Sequence, residues 1–244
     1  MRQELRPRLG RPYPEYYVPV EFHGIGCYEM SPELAQKHFE WYTTNYFERV
    51  EILLEYFAES LTDDPLTDLE RLGRHVERVV RRDKQFKKWT RGEIVEVKPG
   101  FRVRESPAWQ LTNAGWVLAQ DMGLLLAHEF LELKHPLVNW MLHIKPKNDP
   151  SFQRPVITWL RNRGYDPLDN SVSWCLQIVD RTRDGGIWAL IYNLLLERLA
   201  EHDREVEQIR LAREREKEER RLARQQERER LKQGKEGKTK GKKG

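Results

Sequence analysis

The chain predicts a helix-rich α+β fold, a single domain with a small sheet and a long charged C-terminal helix. Three observations predict it. Apolar residues recur at spacings of three and four in the segments starting at Phe39, Leu69 and Trp188, which is the period of a helix with one buried face. Short apolar runs bounded by proline and glycine lie near 93–104, 138–144 and 155–160, and these read as strands of one small sheet. Charge is unevenly spread: residues 201–244 hold 16 Lys+Arg and 11 Asp+Glu, a net of +5, while residues 1–200 have a net of −1. The 34% charged content and the mean hydropathy of −0.81 therefore reflect a polar tail added to a near-neutral body. A body of about 200 residues is long enough to bury a core of its own.

Residues 1–30 are rich in Pro, Tyr and Arg, and Pro7, Pro12, Pro14 and Pro19 exclude a helix. The expectation is an extended arm with a short strand near Val18–Phe22. Residues 31–200 form the expected globular domain. It opens with Ser31-Pro32-Glu33, which supplies a capping hydroxyl, a proline at the first helical position and an acid against the dipole. Phe39, Tyr42, Tyr46, Val50, Leu53, Phe57 and Leu61 follow as one stripe. Asp63-Asp64-Pro65 breaks this helix, and Thr67 with Glu70 reads as a capping box for a second, carrying Leu69, Leu72, Val76 and Val79. Two strands are expected around Pro99-Gly100. A third helix is expected from Thr112 to Leu133, closed by Lys134-His135-Pro136. Residues 172–179 fit both strand alternation and helical spacing, with helix favoured. After Asp184-Gly185-Gly186 a last helix starts at Ile187.

Beyond Ile209 that helix has no sustained apolar heptad, so a long coiled coil is not expected. Residues 201–233 read instead as a solvated helix held by charge pairs, among them Glu207–Arg210, Glu214–Lys217, Glu216–Arg220, Glu218–Arg221, Glu227–Arg230 and Glu229–Lys232. Each pair contributes roughly 0.2–0.5 kcal/mol. Gly234 is expected to stop the helix, leaving 234–244 as a disordered Lys/Gly tip.

Several function classes find no support. Cys27 and Cys175 are too few for a disulfide framework and have no CxxC spacing. The basic N-terminus is not followed by the apolar run of a signal peptide, and no 18-residue apolar stretch is present; a cytoplasmic protein is the expectation. Gly24-Ile25-Gly26 begins like a dinucleotide fingerprint, but Glu29 stands where the third glycine belongs. No cofactor is expected.

Three constellations could carry chemistry. His128, Glu132 and His135 lie at i, i+4 and i+7, so a continuous helix would converge three metal ligands; Glu132 stands where a zinc-protease helix has histidine. Asp121 interrupts an apolar stretch and must be paired if buried, either as an anchor to an arginine or amide or as an acid lining a pocket. Arg78, Arg81, Arg82, Lys84, Lys87 and Lys88, with Phe86 and Trp89 interleaved, could neutralise phosphates. Eight tryptophans supply core anchors, and any exposed ones would mark a partner surface.

Tyr28-Glu-Met-Ser-Pro-Glu-Leu-Ala-Gln-Lys-His-Phe-Glu-Trp-Tyr42, Glu48-Arg-Val-Glu-Ile-Leu53, Gln120-Asp-Met-Gly123, Trp140 and Arg154-Pro-Val156 together resemble a group of small bacterial proteins. That group combines a YFEWF…ERI helix, a DxG helix and a W…PV segment, and has no assigned activity. The resemblance implies an accessory or immunity-type protein, and it carries no site residue with it. The expected function is a non-enzymatic interaction protein that binds another protein through an aromatic-rich surface. Two alternatives stay open. One is a nucleic-acid-associated protein using Arg78–Lys88 and the basic tail, which could also bind nucleic acid nonspecifically. The other is a metal-dependent hydrolase centred on Asp121, His128 and Glu132. No membrane partner is expected.

Overall fold

A computed structural model describes residues 12–15, 19–22, 27–84, 96–98, 101–102, 111–144, 146–147, 149, 151–160 and 163–240. The described chain is helix-rich α+β. It contains α1 (Pro32–Phe57), α2 (Pro65–Val79), β1 (Glu96–Lys98), β2 (Phe101–Arg102), α3 (Asn113–Glu132), β3 (Asn139–Leu142), β4 (Pro155–Leu160), β5 (Arg163–Tyr165), α4 (Pro167–Val179) and α5 (Ile187–Lys240). It divides into two compact units, Met1–Leu195 and Leu196–Gly244.

In the first unit α3 is the central element. Residues 121–127 are all buried, as are Glu129 and Phe130, and a helix buried on every side must be apolar around its whole circumference. The Leu124-Leu125-Leu126 run meets that demand. α1, α2 and α4 all pack against α3. Thr112 caps it by accepting a bond from the Gly115 amide at 3.1 Å. Ser31 caps α1 in the same way through the Leu34 amide, at 3.2 Å. Two crossings depend on a missing Cβ. A methyl group on Gly123 would lie 2.4 Å from the Pro167 carbonyl oxygen at the start of α4, and one on Gly73 would lie 1.9 Å from the Gly185 carbonyl oxygen before α5. Where α4 and α5 meet, the Trp188 indole donates to Ser171 Oγ at 3.0 Å, which satisfies a fully buried indole N–H.

Several expectations are corrected. The helix over 172–179 forms as α4, but the strands do not share one sheet. Among the described residues β1 and β2 form a two-stranded sheet, and β3-β4-β5 form a separate antiparallel sheet. β4 pairs on one edge with β3, Asn139 opposite Thr158, and on the other with β5, Ile157 opposite Tyr165. β5 was not anticipated; a local hairpin closes at lower entropic cost than pairing with the distant 96–102 segment.

The second helix is capped by Asp64, whose carboxylate accepts bonds from the Leu66 amide at 3.2 Å and from the Thr67 hydroxyl at 2.6 Å. Pro65, with φ already helical and no N–H to satisfy, starts the helix two residues before Thr67 could cap it. Leu61 lies beyond α1, which ends at Ala58 in the left-handed conformation (φ 55°). Near the N-terminus, Val20–Phe22 is a 3-10 turn rather than a strand, closed by the Phe22 amide on the Pro19 carbonyl at 2.9 Å. Val18 and Pro99-Gly100 lie outside the described residues.

The second unit consists of α5 from Leu196 onward. The helix passes through Gly234, the expected stop, and runs to Lys240. An interior glycine weakens a helix by roughly 1 kcal/mol but ends it only by turning left-handed, and Gly234 stays helical. Three expected ion pairs form: Glu207–Arg210 at 2.6 Å, Glu216–Arg220 at 2.5 Å and Glu218–Arg221 at 3.6 Å. The side chains of Glu227–Arg230 and Glu229–Lys232 lie outside the described residues.

Candidate functional site

Asp121 is fully buried on α3, where a bare carboxylate would be strongly disfavoured. Arg49, reaching in from α1, meets it with two parallel bonds, Nε to Oδ1 at 3.1 Å and Nη2 to Oδ2 at 2.6 Å. The Tyr13 hydroxyl donates to Oδ2 at 2.6 Å. Arg49 also donates to the backbone carbonyls of Glu15 (3.1 Å) and Pro14 (3.4 Å). Burial lifts the Asp121 carboxyl to about 6, against the opposing pull of Arg49 and Tyr13. Of the two roles open to Asp121, this geometry serves the anchor: Arg49 and Tyr13 together tie segment 12–15 to α1 and α3.

The three candidate metal ligands are not brought together. α3 ends at Glu132, and Lys134 turns left-handed (φ 51°), so His135 leaves the helix face on which the i+7 spacing would have placed it. His135 Nδ1 instead accepts the Leu137 amide at 3.2 Å. His128 remains on α3 with its ring centroid 4.7 Å from that of Phe47, and burial pushes its pKa down. Glu132 is exposed beside Lys134, at 4.0 Å. Among the described residues no group of three His, Cys, Asp or Glu side chains stands where it could hold a metal ion.

Of the basic segment, Arg78, Arg81, Arg82 and Lys84 lie among the described residues. Arg78 is exposed in the last turn of α2. Arg81 folds back onto the carbonyls of Val80 and Arg78. Arg82 is ion-paired with Asp180, and Lys84 is exposed. Lys87, Lys88, Phe86 and Trp89 lie outside the described residues.

The rings do assemble. Helical spacing on α1 puts Tyr42 and Tyr46 one turn apart, and β3 delivers Trp140 between them, with centroids at 5.5 and 5.6 Å and edge-on geometry. From Tyr46 the series continues to Phe47 at 6.4 Å and to His128 at 6.3 Å. At its other end His38, Trp41 and Phe22 extend it through centroid distances of 5.0 to 6.0 Å. Edge-to-face pairs of this kind contribute roughly 0.5–1.5 kcal/mol beyond area burial.

The series runs from core to surface. Tyr42 is buried, Tyr46, Trp140 and His128 are half-buried, and Phe47 is 37% exposed. The Trp140 indole N–H is buried with no hydrogen-bond partner. Around Phe47 the outer face of α1 presents Glu40, Thr44, Glu48 and Glu51 to solvent. The other described tryptophans divide similarly: Trp188 and Trp174 are core, Trp41 is half-buried and Trp116 is 37% exposed.

One functional-looking residue was missed. Glu129 is buried at 6% exposure, and burial, followed by the charges of Asp68 and Glu132, raises its carboxyl to about 7. Its signal was available: it follows Leu125 and Leu126 at four and three residues, on the apolar face of α3.

No family model matches this chain, and neither a curated protein nor a solved structure matches it.

Proposed function

We propose that this chain is a non-enzymatic cytoplasmic interaction protein, of the accessory or immunity type, which binds another protein through the aromatic surface where α1, α3 and β3 meet. The observation that carries this reading is the continuous ring series from Tyr42 through Trp140 and Tyr46 to the solvent-open Phe47 and its neighbour His128. An aromatic residue backed by packed rings loses little conformational freedom on binding, which is why Trp and Tyr dominate interface hot spots. The carboxylates of Glu40, Glu48 and Glu51 beside it favour a partner surface that combines an aliphatic or aromatic anchor with lysine or arginine, through charge complementarity.

Site-specific photocrosslinking in the full chain tests the proposal. A benzophenone amino acid at position 47 should yield one discrete protein adduct, absent when the probe is placed at the exposed Glu70 of α2 and lost when His128→Ala or Trp140→Ala accompanies the probe. Equal adduct patterns from positions 47 and 70, or no adduct from position 47, would overturn it.

A further inference from the structure

The apolar stripe that α5 buries does not end where its burial ends. Trp188, Tyr192, Leu195 and Leu199 are spaced four, three and four apart, and all are less than 10% exposed. The same alternation continues through His202, Val206 and Ile209. His202 is half-buried, while Val206 and Ile209 are 45% and 53% exposed. Within the second unit, then, the core-forming seam of a heptad runs about two further turns with its β-branched side chains in water.

The residues flanking this seam are ordered by charge. In two parallel, in-register helices, the residue just before each first seam position faces the residue five further on in the partner. Applied to α5, this sets Arg198 against Asp203, Glu205 against Arg210, Ala212 against Lys217 and Glu219 against Arg224 of the other copy. Three of the four are opposite-charge pairs, and none is a like-charge pair. Arg213, Glu216 and Arg220 take the next seam positions and end the apolar contact after Ile209, so the association is short and weak.

We propose that α5 is a self-association helix: residues 202–210 pair in parallel and in register with the same residues of a second copy of this chain, with Val206 and Ile209 forming the apolar layers. This surface is separate from the aromatic one on α1, and neither reading depends on the other.

Sedimentation velocity of the full chain, from about 1 µM to about 500 µM, should show a monomer–dimer equilibrium. Val206→Glu with Ile209→Glu should abolish the dimer, while Leu211→Glu, on the opposite face, should leave it unchanged. Glu205→Arg should raise the dimer dissociation constant by ~10-fold or more, and Glu205→Arg combined with Arg210→Glu should restore it. Under mild oxidation Ile209→Cys should give a covalent dimer and Leu211→Cys should not. Because all five positions are exposed, the thermal transition of each variant should match that of the parent chain. A monomer at every concentration would overturn the proposal. So would a dimer indifferent to the paired glutamates, or equal crosslinking from positions 209 and 211.

Discussion

Glu129 and Asp121 are two buried carboxylates with different neighbours, and pH separates them. At Glu129, burial and the charges of Asp68 and Glu132 raise the carboxyl from 4.5 to about 7. The folded chain therefore holds a proton that the unfolded chain releases. The stability this proton contributes is full below about pH 4.5 and is lost as pH rises through about 7. Glu129→Gln should remove that decline and stabilise the protein by about 2–3 kcal/mol at pH 8, measurable as parallel urea curves at pH 5 and pH 8. Asp121 shifts in the same direction, from 3.8 to about 6, but it is held by Arg49. Arg49→Met should cost about 3–5 kcal/mol where Asp121 is ionised, and the loss should shrink as pH falls towards about 6, where Asp121 takes up a proton. The need for a partner at Asp121 was legible, since a carboxylate in an apolar stretch demands one. Which partner was not: Arg49 is 72 residues away and Tyr13 is 108 away, and no local spacing encodes such distances.

At the level of elements, most helices follow from spacing and caps, because these are interactions within a few residues of sequence. The Ser31 cap of α1 and the proline start of α2 are of this kind. The sheet is different: whether the 96–102 strands join 139–165 depends on which edges are occupied, and β5 takes the free edge of β4. His135 shows the same dependence: the i+7 spacing converges only on a continuous helix, and α3 ends at Glu132, before it. Close crossings were legible only as possibilities. A glycine inside an apolar helix, such as Gly123, permits a close neighbour, and the structure supplies α4. Gly123→Ala should therefore destabilise by about 2–3 kcal/mol through overpacking against the Pro167 carbonyl, lowering the urea midpoint without changing its slope. Gly73→Ala should behave likewise against Gly185.

Across the whole molecule the charge division separates two behaviours. Residues 203–226 are all exposed, and their helix rests on ion pairs that salt screens within about 10 Å. Far-ultraviolet circular dichroism on heating should show a sloping, salt-sensitive loss of helix superimposed on one cooperative transition. The same excess of Lys and Arg should give the full chain a nucleic-acid affinity that falls steeply between low salt and about 150 mM, whatever the sequence offered; anisotropy with labelled duplexes of two sequences would check both points. The central placement of α3 has a consequence of another kind. Amides along Leu124–Leu126 lie on a helix enclosed by α1, α2 and α4, so no partial opening of one neighbour exposes them, and their exchange with deuterium proceeds only when the first unit opens altogether. Those few amides thus form a built-in gauge: their exchange rate in D2O reports the free energy of unfolding of the first unit under native conditions, without denaturant, in the presence or absence of any partner.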